Sequence, residues 1–589
     1  MTCGGINSYM KIIRKISIFI IVFVSIFAFS SSFKKVSADP VVTSSKISIK
    51  GAEIRKTGDK QGLRFVGTID DDFENDYDNV VGYGILLAYG SVEAESIYHG
   101  QNPNGKKLGE YYAEKANLDR DDSDNPCIKY TIYNIPDSEI STYLSARMYA
   151  KLSDGSYVYS QDGKQRNVED VARRAYSEGE RSTLIDNIAS KGKIRVIHSD
   201  GTKNYYESIS EITLLAGDKL SFLAGTYEEA IEVSVNNVEI NGVYTGILCD
   251  SSSRLDEAET VFNQSIKVKN GVDGFTVNGV KSTANKAIIL EDSQENVAIK
   301  YSKLYSAFGV SDTKNVIATY GELSHDNVLI QKNDFNGQSD TENRLVYFQG
   351  YVNDFTVDAN SFSSIVTSEI KPNEYGVKLN RITNDSVVSI VNNQFNQRYA
   401  NYQIDLANSH SADNYLSATI NIENNKGIGS SDGAEFYGNG FRILYIGSSS
   451  IINMLHNTNF RFSRYYNTIL FSEAQGTGSA DINPGTQDPT INIKYNILYG
   501  DKNVNVENPG RTTTLNTNYL NLGLGFKVDA SKITVDYNYF SGTARGYSFK
   551  TNSASSSSKN IYGTGAISQT NVCANASEAN AAYAAYLAG

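Results

Sequence analysis

Residues 328–335 read VLIQKNDF, and the same frame returns at 355–362 (FTVDANSF), 388–395 (VSIVNNQF) and 533–540 (ITVDYNYF). Each copy is an alternating apolar strand, an Asn three residues after its last inward position, and an aromatic two residues beyond. The frame recurs with weaker aromatics at 420–427, 452–460 and 491–498, which puts Asn333, Asn360, Asn393, Asn425, Asn457, Asn496 and Asn538 in register. Successive asparagines lie 27, 33, 32, 32, 39 and 42 residues apart. Helical repeats keep a fixed length, whereas stacked β-coils keep their strands and vary their loops. Such self-similarity predicts a solenoid in which no coil buries its apolar face until a neighbour lies on it. Period-2 alternation sends every other side chain into the core. Asn is expected to take the left-handed conformation at the corner and to bond the Asn of the next coil, ~4.8 Å away, with a Phe stack alongside.

Residues 217–233, GDKLSFLAGTYEEAIEV, followed by NVEING at 237–242, carry a family resemblance. The phrase resembles the opening coil of the pectin-lyase-like right-handed parallel β-helix superfamily, and the likeness extends over about 193–570. It implies the fold and little about activity, because lyases, hydrolases, esterases, epimerases, tailspikes and adhesins share that coil. The polygalacturonase signatures Asn-Thr-Asp, Asp-Asp and Gly-His-Gly are not found in the solenoid, and neither is the Arg-x-Pro-x-x-Arg of pectate lyases.

Residues 39–185 lack the Asn frame and read as short alternating strands between acidic turns, the pattern of a β-sandwich. GAEIR at 51–55, GLRF at 62–65, NIP at 134–136, ARMY at 146–149, Tyr159, Ser160 and VEDVA at 168–172 resemble a module recurring in secreted Gram-positive proteins. Arg55, Arg64 and Arg147 are its candidate ligand-binding cations, with edge-strand or buried ion-pair roles as the alternative. A helix and linker are expected over 167–187, with Arg173 and Arg174 facing solvent.

At the N-terminus, Lys11, Arg14 and Lys15 precede an apolar run over 16–29 and a small-residue site ending at Ala38. This reads as a secretory signal peptide over 1–38. The organisation expected is therefore a signal peptide over 1–38, a sandwich over 39–185, a linker over 186–192, a solenoid over 193–570 and a capping segment over 571–589. In that last segment Ser577 would cap a short helix carrying Tyr583, Tyr586 and Leu587 on one face. The fold class is all-β.

Removing the leader takes away five cations and no acid, moving the net charge from −12 to −17. Such a chain lacks the basic face that nucleic acid requires. Cys127, Cys249 and Cys573, all that remain after cleavage, are too few and too scattered for a disulfide framework. The histidines 99, 198, 325, 410 and 456 form no i, i+4 pair, and the acidic runs 70–72 and 119–124 lack the Gly and terminal Glu of a calcium loop. No metal and no cofactor is expected. Trp is absent and Tyr numbers 40, so any stacking on sugar must use tyrosine.

A second strand lies between the asparagine rungs. With Val346, Val377, Ile404, Ile443 and Ile469 inward at one level, the outward positions are Tyr347, Lys378, Asp405, Leu444 and Leu470, with Arg442 on the other side of Ile443. Tyr347, Lys378, Asp405 and Arg442 are the candidate substrate-binding residues. Lys378 beside a Tyr could take a proton from a uronic-acid ring while Arg442 pairs with its carboxylate. The alternative is an ion ladder that only solvates the sheet. Three functions follow: a secreted or cell-surface protein that binds polysaccharide through its solenoid face, a divergent lyase or hydrolase acting on uronic-acid-containing glycans, or an adhesive or structural surface protein. The expected partner is a polysaccharide or cell-surface glycan, with no nucleic acid, no membrane once the leader is removed, and a monomeric chain.

Overall fold

The computed structural model describes residues 41–588 apart from 56–60, 78, 122, 307–312, 339–341, 365–372, 398–399, 408–416, 428–438, 445–446, 448, 463–466, 473–488, 501–517, 523–527, 542–548, 552–560, 563–570 and 572. The expected leader lies outside the described residues. The chain divides into two compact units between Val171 and Ala172, within the helix Val168–Ser177.

In the first unit, one sheet has the strand order Val42–Ser44, Tyr157–Arg166, Leu144–Leu152, Val80–Tyr89, Gly109–Glu114. The other has Ile47–Arg55, Gly62–Ile69, Pro126–Tyr133, Asp119–Arg120. The two face each other as a β-sandwich. At Gly67 a Cβ would stand 2.8 Å from both Ile128 of its own sheet and the Met148 sulfur of the other, so the glycine permits the close approach. Arg147 is 2% exposed and donates to the carbonyls of Ser160 (2.9 Å) and Ala94 (2.7 Å). It ties a loop to the sheet. Arg64 pairs with Glu53, and Arg55 bonds the Tyr133 hydroxyl.

The second unit is a parallel β-helix. A continuous sheet of 23 strands runs through it and an 11-stranded sheet forms a further side. Parallel pairing begins where Lys219–Ser221 meets Glu239–Asn241. Ahead of it, Ile194–Ile197 pairs antiparallel with both Lys203–Tyr206 and Lys219–Phe222, so the expected start at 193 is a hairpin rather than a coil. The hairpin covers an edge that would otherwise be open. Arg173, expected in solvent, is 5% exposed and donates to the carbonyls of Gly192, Lys193 and Ser221. Its fork of donors lets one guanidinium reach three backbone carbonyls at once.

The asparagines stack as expected. Asn360 donates from its backbone N–H (2.9 Å) and its amide (3.0 Å) to Oδ1 of Asn393, while its other amide hydrogen goes to Ile330 O (2.9 Å). The same arrangement runs from Asn333 to Asn538. Ser302 donates to Asn333 and holds the rung above it. The left-handed residue, however, is the one before each asparagine: Lys332, Ala359, Asn392, Asn424, His456, Tyr495 and Tyr537 have φ of 51–61°. With that residue making the turn, the Asn itself points inward to its partners. The strain of each left-handed residue, about 1–2 kcal/mol, is set against several buried hydrogen bonds per rung.

Phe335, Phe362 and Phe395 stack nearly face to face at 5.0 and 4.8 Å. The next coil has Gly427 at that level. Phe395 therefore meets Phe460 across the gap at 6.1 Å and 45°.

The C-terminal helix Ala576–Ala588 is capped by Asn575 rather than Ser577: Asn575 Oδ1 accepts from Glu578 N, and the Glu578 carboxylate accepts in turn from Asn575 Nδ2 and Ala574 N. Tyr583 stacks on His456 at 4.0 Å and Tyr586 on Tyr495 at 5.4 Å. These contacts place the helix along the flank of several coils, where the left-handed column turns its side chains outward.

Candidate functional site

Tyr347, Lys378, Asp405 and Arg442 occupy one row on successive strands: Tyr347 pairs with Lys378, Lys378 with Asp405, and Asp405 with Arg442. The register of the last strand differs from expectation. Phe441, not Ile443, lies beside Ile404, and Arg442 takes the level expected for Leu444. Phe441 and Ile443 share one parity, so alternation alone admits both registers. Packing selects Phe441, which meets Phe460 edge to face at 5.1 Å.

Asp405 sits at the centre of the row with its side chain 2% exposed. It accepts from Arg442 Nε at Oδ1 and Nη2 at Oδ2, both at 2.6 Å, while Lys378 Nζ stands 3.9 Å from Oδ2. Two tyrosines that alternation did not single out support the cations. Lys378 Nζ lies 4.1 Å from the centre of the Tyr375 ring, and the Arg442 guanidinium 4.1 Å from that of Tyr402. Both are cation–π contacts in a largely desolvated setting. Their signal in the sequence is a Tyr three residues before the row position in two consecutive coils, 375 before 378 and 402 before 405. Arg344 forks onto Glu342 at 2.9 and 3.1 Å and covers Tyr347, whose hydroxyl accepts from Asn380.

Burial pushes the Lys378 amine below its ordinary pKa, and the pull of Asp405 is opposed by Arg344 and Arg442. Burial also works against the charge of Arg442, but its bonds to Asp405 outweigh this and hold the guanidinium above its usual value. The row thus carries two cations and one anion whose oxygens are already engaged. It can offer an anion a positive charge and ammonium donors. Asp405 in this state is no free proton acceptor.

The row continues toward the N-terminus as Ala318, Ile289 and Lys267. There an open depression of about 550 Å³ is lined by Lys267, Asn270, Ile289, Glu291, Asp292, Tyr320 and Gly321. None of the four expected residues lines it. Elsewhere on the solenoid, Arg254 and Glu259, both fully buried, pair at 2.8 Å and are joined by Lys303. This cluster has its partners and serves packing. Among the described residues no group of three or more His, Cys, Asp or Glu could hold a metal ion, and no helix is long and apolar enough to cross a membrane.

No protein-family model matches the sequence, and no curated protein matches it. Among solved structures, the family 28 exopolygalacturonase of Yersinia enterocolitica aligns over 89% of this chain and 98% of its own, at 9% identity and a TM-score of 0.22. The parallel β-helix rests on the strand pairing rather than on that likeness, which is too slight to carry an argument.

Proposed function

We propose that the solenoid binds an acidic polysaccharide along the row of Tyr347, Lys378, Asp405 and Arg442, without turnover, and that the chain is exported to act at or beyond the cell surface. The observation that carries this reading is the register itself: aromatic, cation, anion and cation on four adjacent strands, one net positive charge in a chain of net charge −12. Strands ~4.8 Å apart offer equally spaced groups to a polymer. The proposed binding is electrostatic in origin and weakens with salt. Because Asp405 is clamped by Arg442, the row supplies no paired carboxylates for glycoside hydrolysis, which favours binding over hydrolysis.

A second reading is a lyase, favoured by the lowered pKa of Lys378, which brings the amine closer to the free-base form that abstracts a proton. One experiment separates the two. The secreted protein is incubated with a panel of acidic and neutral polysaccharides while retention, reducing ends and unsaturated-product absorbance are followed. Binding requires retention on an acidic polymer that is lost in Lys378→Ala/Arg442→Ala, with no product. Unchanged retention of that variant on every polymer removes this row from consideration, and unsaturated product makes the protein a lyase. Export is checked by N-terminal sequencing, which should begin at Asp39.

A further inference from the structure

A second polar row lies on another face of the solenoid. Ser389, Asn421, Asn453, Asn492 and Thr534 are direct partners on successive strands. Their chain neighbours Ile420, Ile422, Ile452, Met454, Ile491 and Ile493 are buried, so the central residues face outward and are half-exposed. Asn453 donates to Asn421 and Asn492 to Asn453, each at 2.9 Å.

This outer ladder differs from the inner one in what it leaves unused. An Asn amide has two donors and two acceptor sites. Inside the solenoid both donors are taken, and each Oδ1 accepts two bonds from the preceding rung. Outside, each link uses one donor and one acceptor site, so Asn421 and Asn453 each keep one N–H and one lone pair toward solvent. The pair repeats at the strand spacing of ~4.8 Å, close to the length of one pyranose ring in an extended chain. On one side of the row stand Val387 and Ile451, 44% and 42% exposed. On the other the column reads Asp358, Val391, Glu423, Leu455, Lys494 and Asp536, three acids to one cation, with Glu423 beside the asparagines. The Glu423 carboxylate has no hydrogen bond or ion pair among the described residues, and burial raises its pKa.

An unpaired carboxylate repels an anionic chain and accepts a hydrogen bond from a hydroxyl. The central row carries no charge at all. We propose that this face is a second glycan site, taking an uncharged, hydroxyl-rich polysaccharide laid along the solenoid axis. Sugar hydroxyls donate to Glu423 and to the free Oδ1 lone pairs, the spare amide N–H groups donate to sugar oxygens, and the C–H faces of the rings cover Val387 and Ile451. The site is independent of the charged row, which selects the opposite class of polymer.

The test uses the full secreted chain with insoluble cellulose, chitin and xylan as probes. The expected result is retention on at least one of them that survives about 1 M salt, where exposed charges are screened within ~3 Å. Retention should also survive Lys378→Ala/Arg442→Ala and be lost in Asn421→Ala/Asn453→Ala/Asn492→Ala with the melting transition preserved. Glu423→Gln, which keeps an acceptor and adds a donor, should retain the polymer, and Glu423→Leu should weaken it. If the triple variant does not fold, Glu423→Leu and Asn453→Lys decide the matter. No retention on any of the three polymers, retention abolished by salt, or retention indifferent to these variants overturns the proposal. So does a dimer in sedimentation that the same substitutions dissolve, since the face would then be covered by a second copy.

Discussion

Asp405 and Arg442 meet through two parallel hydrogen bonds of 2.6 Å across a single strand spacing. The pair is largely withdrawn from water, and its geometry is the bidentate one in which a guanidinium is hard to replace. Asp405→Asn should therefore cost stability and raise affinity at the same time. Removing one partner of a buried pair typically costs 3–5 kcal/mol. Because Arg442 keeps its ring contact with Tyr402, about 3 kcal/mol is expected in urea unfolding. The row would then carry two net positive charges instead of one, and retention on an acidic polymer should increase. Unaltered stability would show that the pair is not buried in the way described.

The Asn393 side chain gives and receives four hydrogen bonds within the interior ladder. Asn393→Ala leaves the backbone N–H of Asn360 and one hydrogen of its amide without an acceptor, each unsatisfied buried group costing roughly 1–3 kcal/mol. A loss of about 3 kcal/mol is expected, with the denaturant slope preserved. Asn393→Asp should cost more, since it buries a charge and sets a carboxylate oxygen against two other acceptors, Val357 O and Asn425 Oδ1.

Gly427 interrupts the aromatic stack because nothing larger fits. A Cβ there would lie 2.8 Å from Asn459 O and 2.9 Å from Phe460 Cα. Gly427→Ala should destabilise by about 1–3 kcal/mol, the usual range for overpacking, although alanine favours ordered backbone over glycine. A stabilised variant in thermal unfolding would contradict this.

His325 is buried with neither ring nitrogen bonded among the described residues, edge-on to Phe348. Desolvation lowers its pKa to about 4, only partly offset by Asp292 and Asp326. The folded value lies below the unfolded one of about 6.5, so between the two the unfolded chain binds more protons. This contribution is whole above about pH 6.5 and is lost as the pH falls toward 4, amounting to roughly 3 kcal/mol. His325→Phe should flatten the stability profile across that window. A profile identical to that of the parent would rule out this histidine as its source.

The stacked asparagines were legible in the sequence because a polar residue that recurs inside an apolar strand frame must bond its own copies. The left-handed position was not, since Lys, Ala, Asn, His and Tyr all serve there and share no chemistry. The row of Tyr347, Lys378 and Asp405 could be read from period-2 alternation across strands of similar length. The register of Arg442 could not, because Phe441 and Ile443 offer the same parity and variable loops leave the offset open by two. Alternation does not mark Tyr375 and Tyr402, because it shows where a side chain starts and not which ring a long cation folds over. The burial of Arg173 is hidden for a related reason: the carbonyls it caps belong to residues 19, 20 and 48 positions away.

Along the interior ladder each amide gives one hydrogen to Oδ1 of the next coil and the other to a backbone carbonyl of the coil before, in the same order at every rung. Every rung therefore presents the same socket above and the same plug below, whatever loop separates it from its neighbour. As far as the ladder is concerned, a whole coil can be excised or duplicated from one asparagine to the next without leaving a mismatched joint. The length of this molecule is thus a variable that insertion and deletion can adjust in steps of one strand spacing, while its cross-section stays constant.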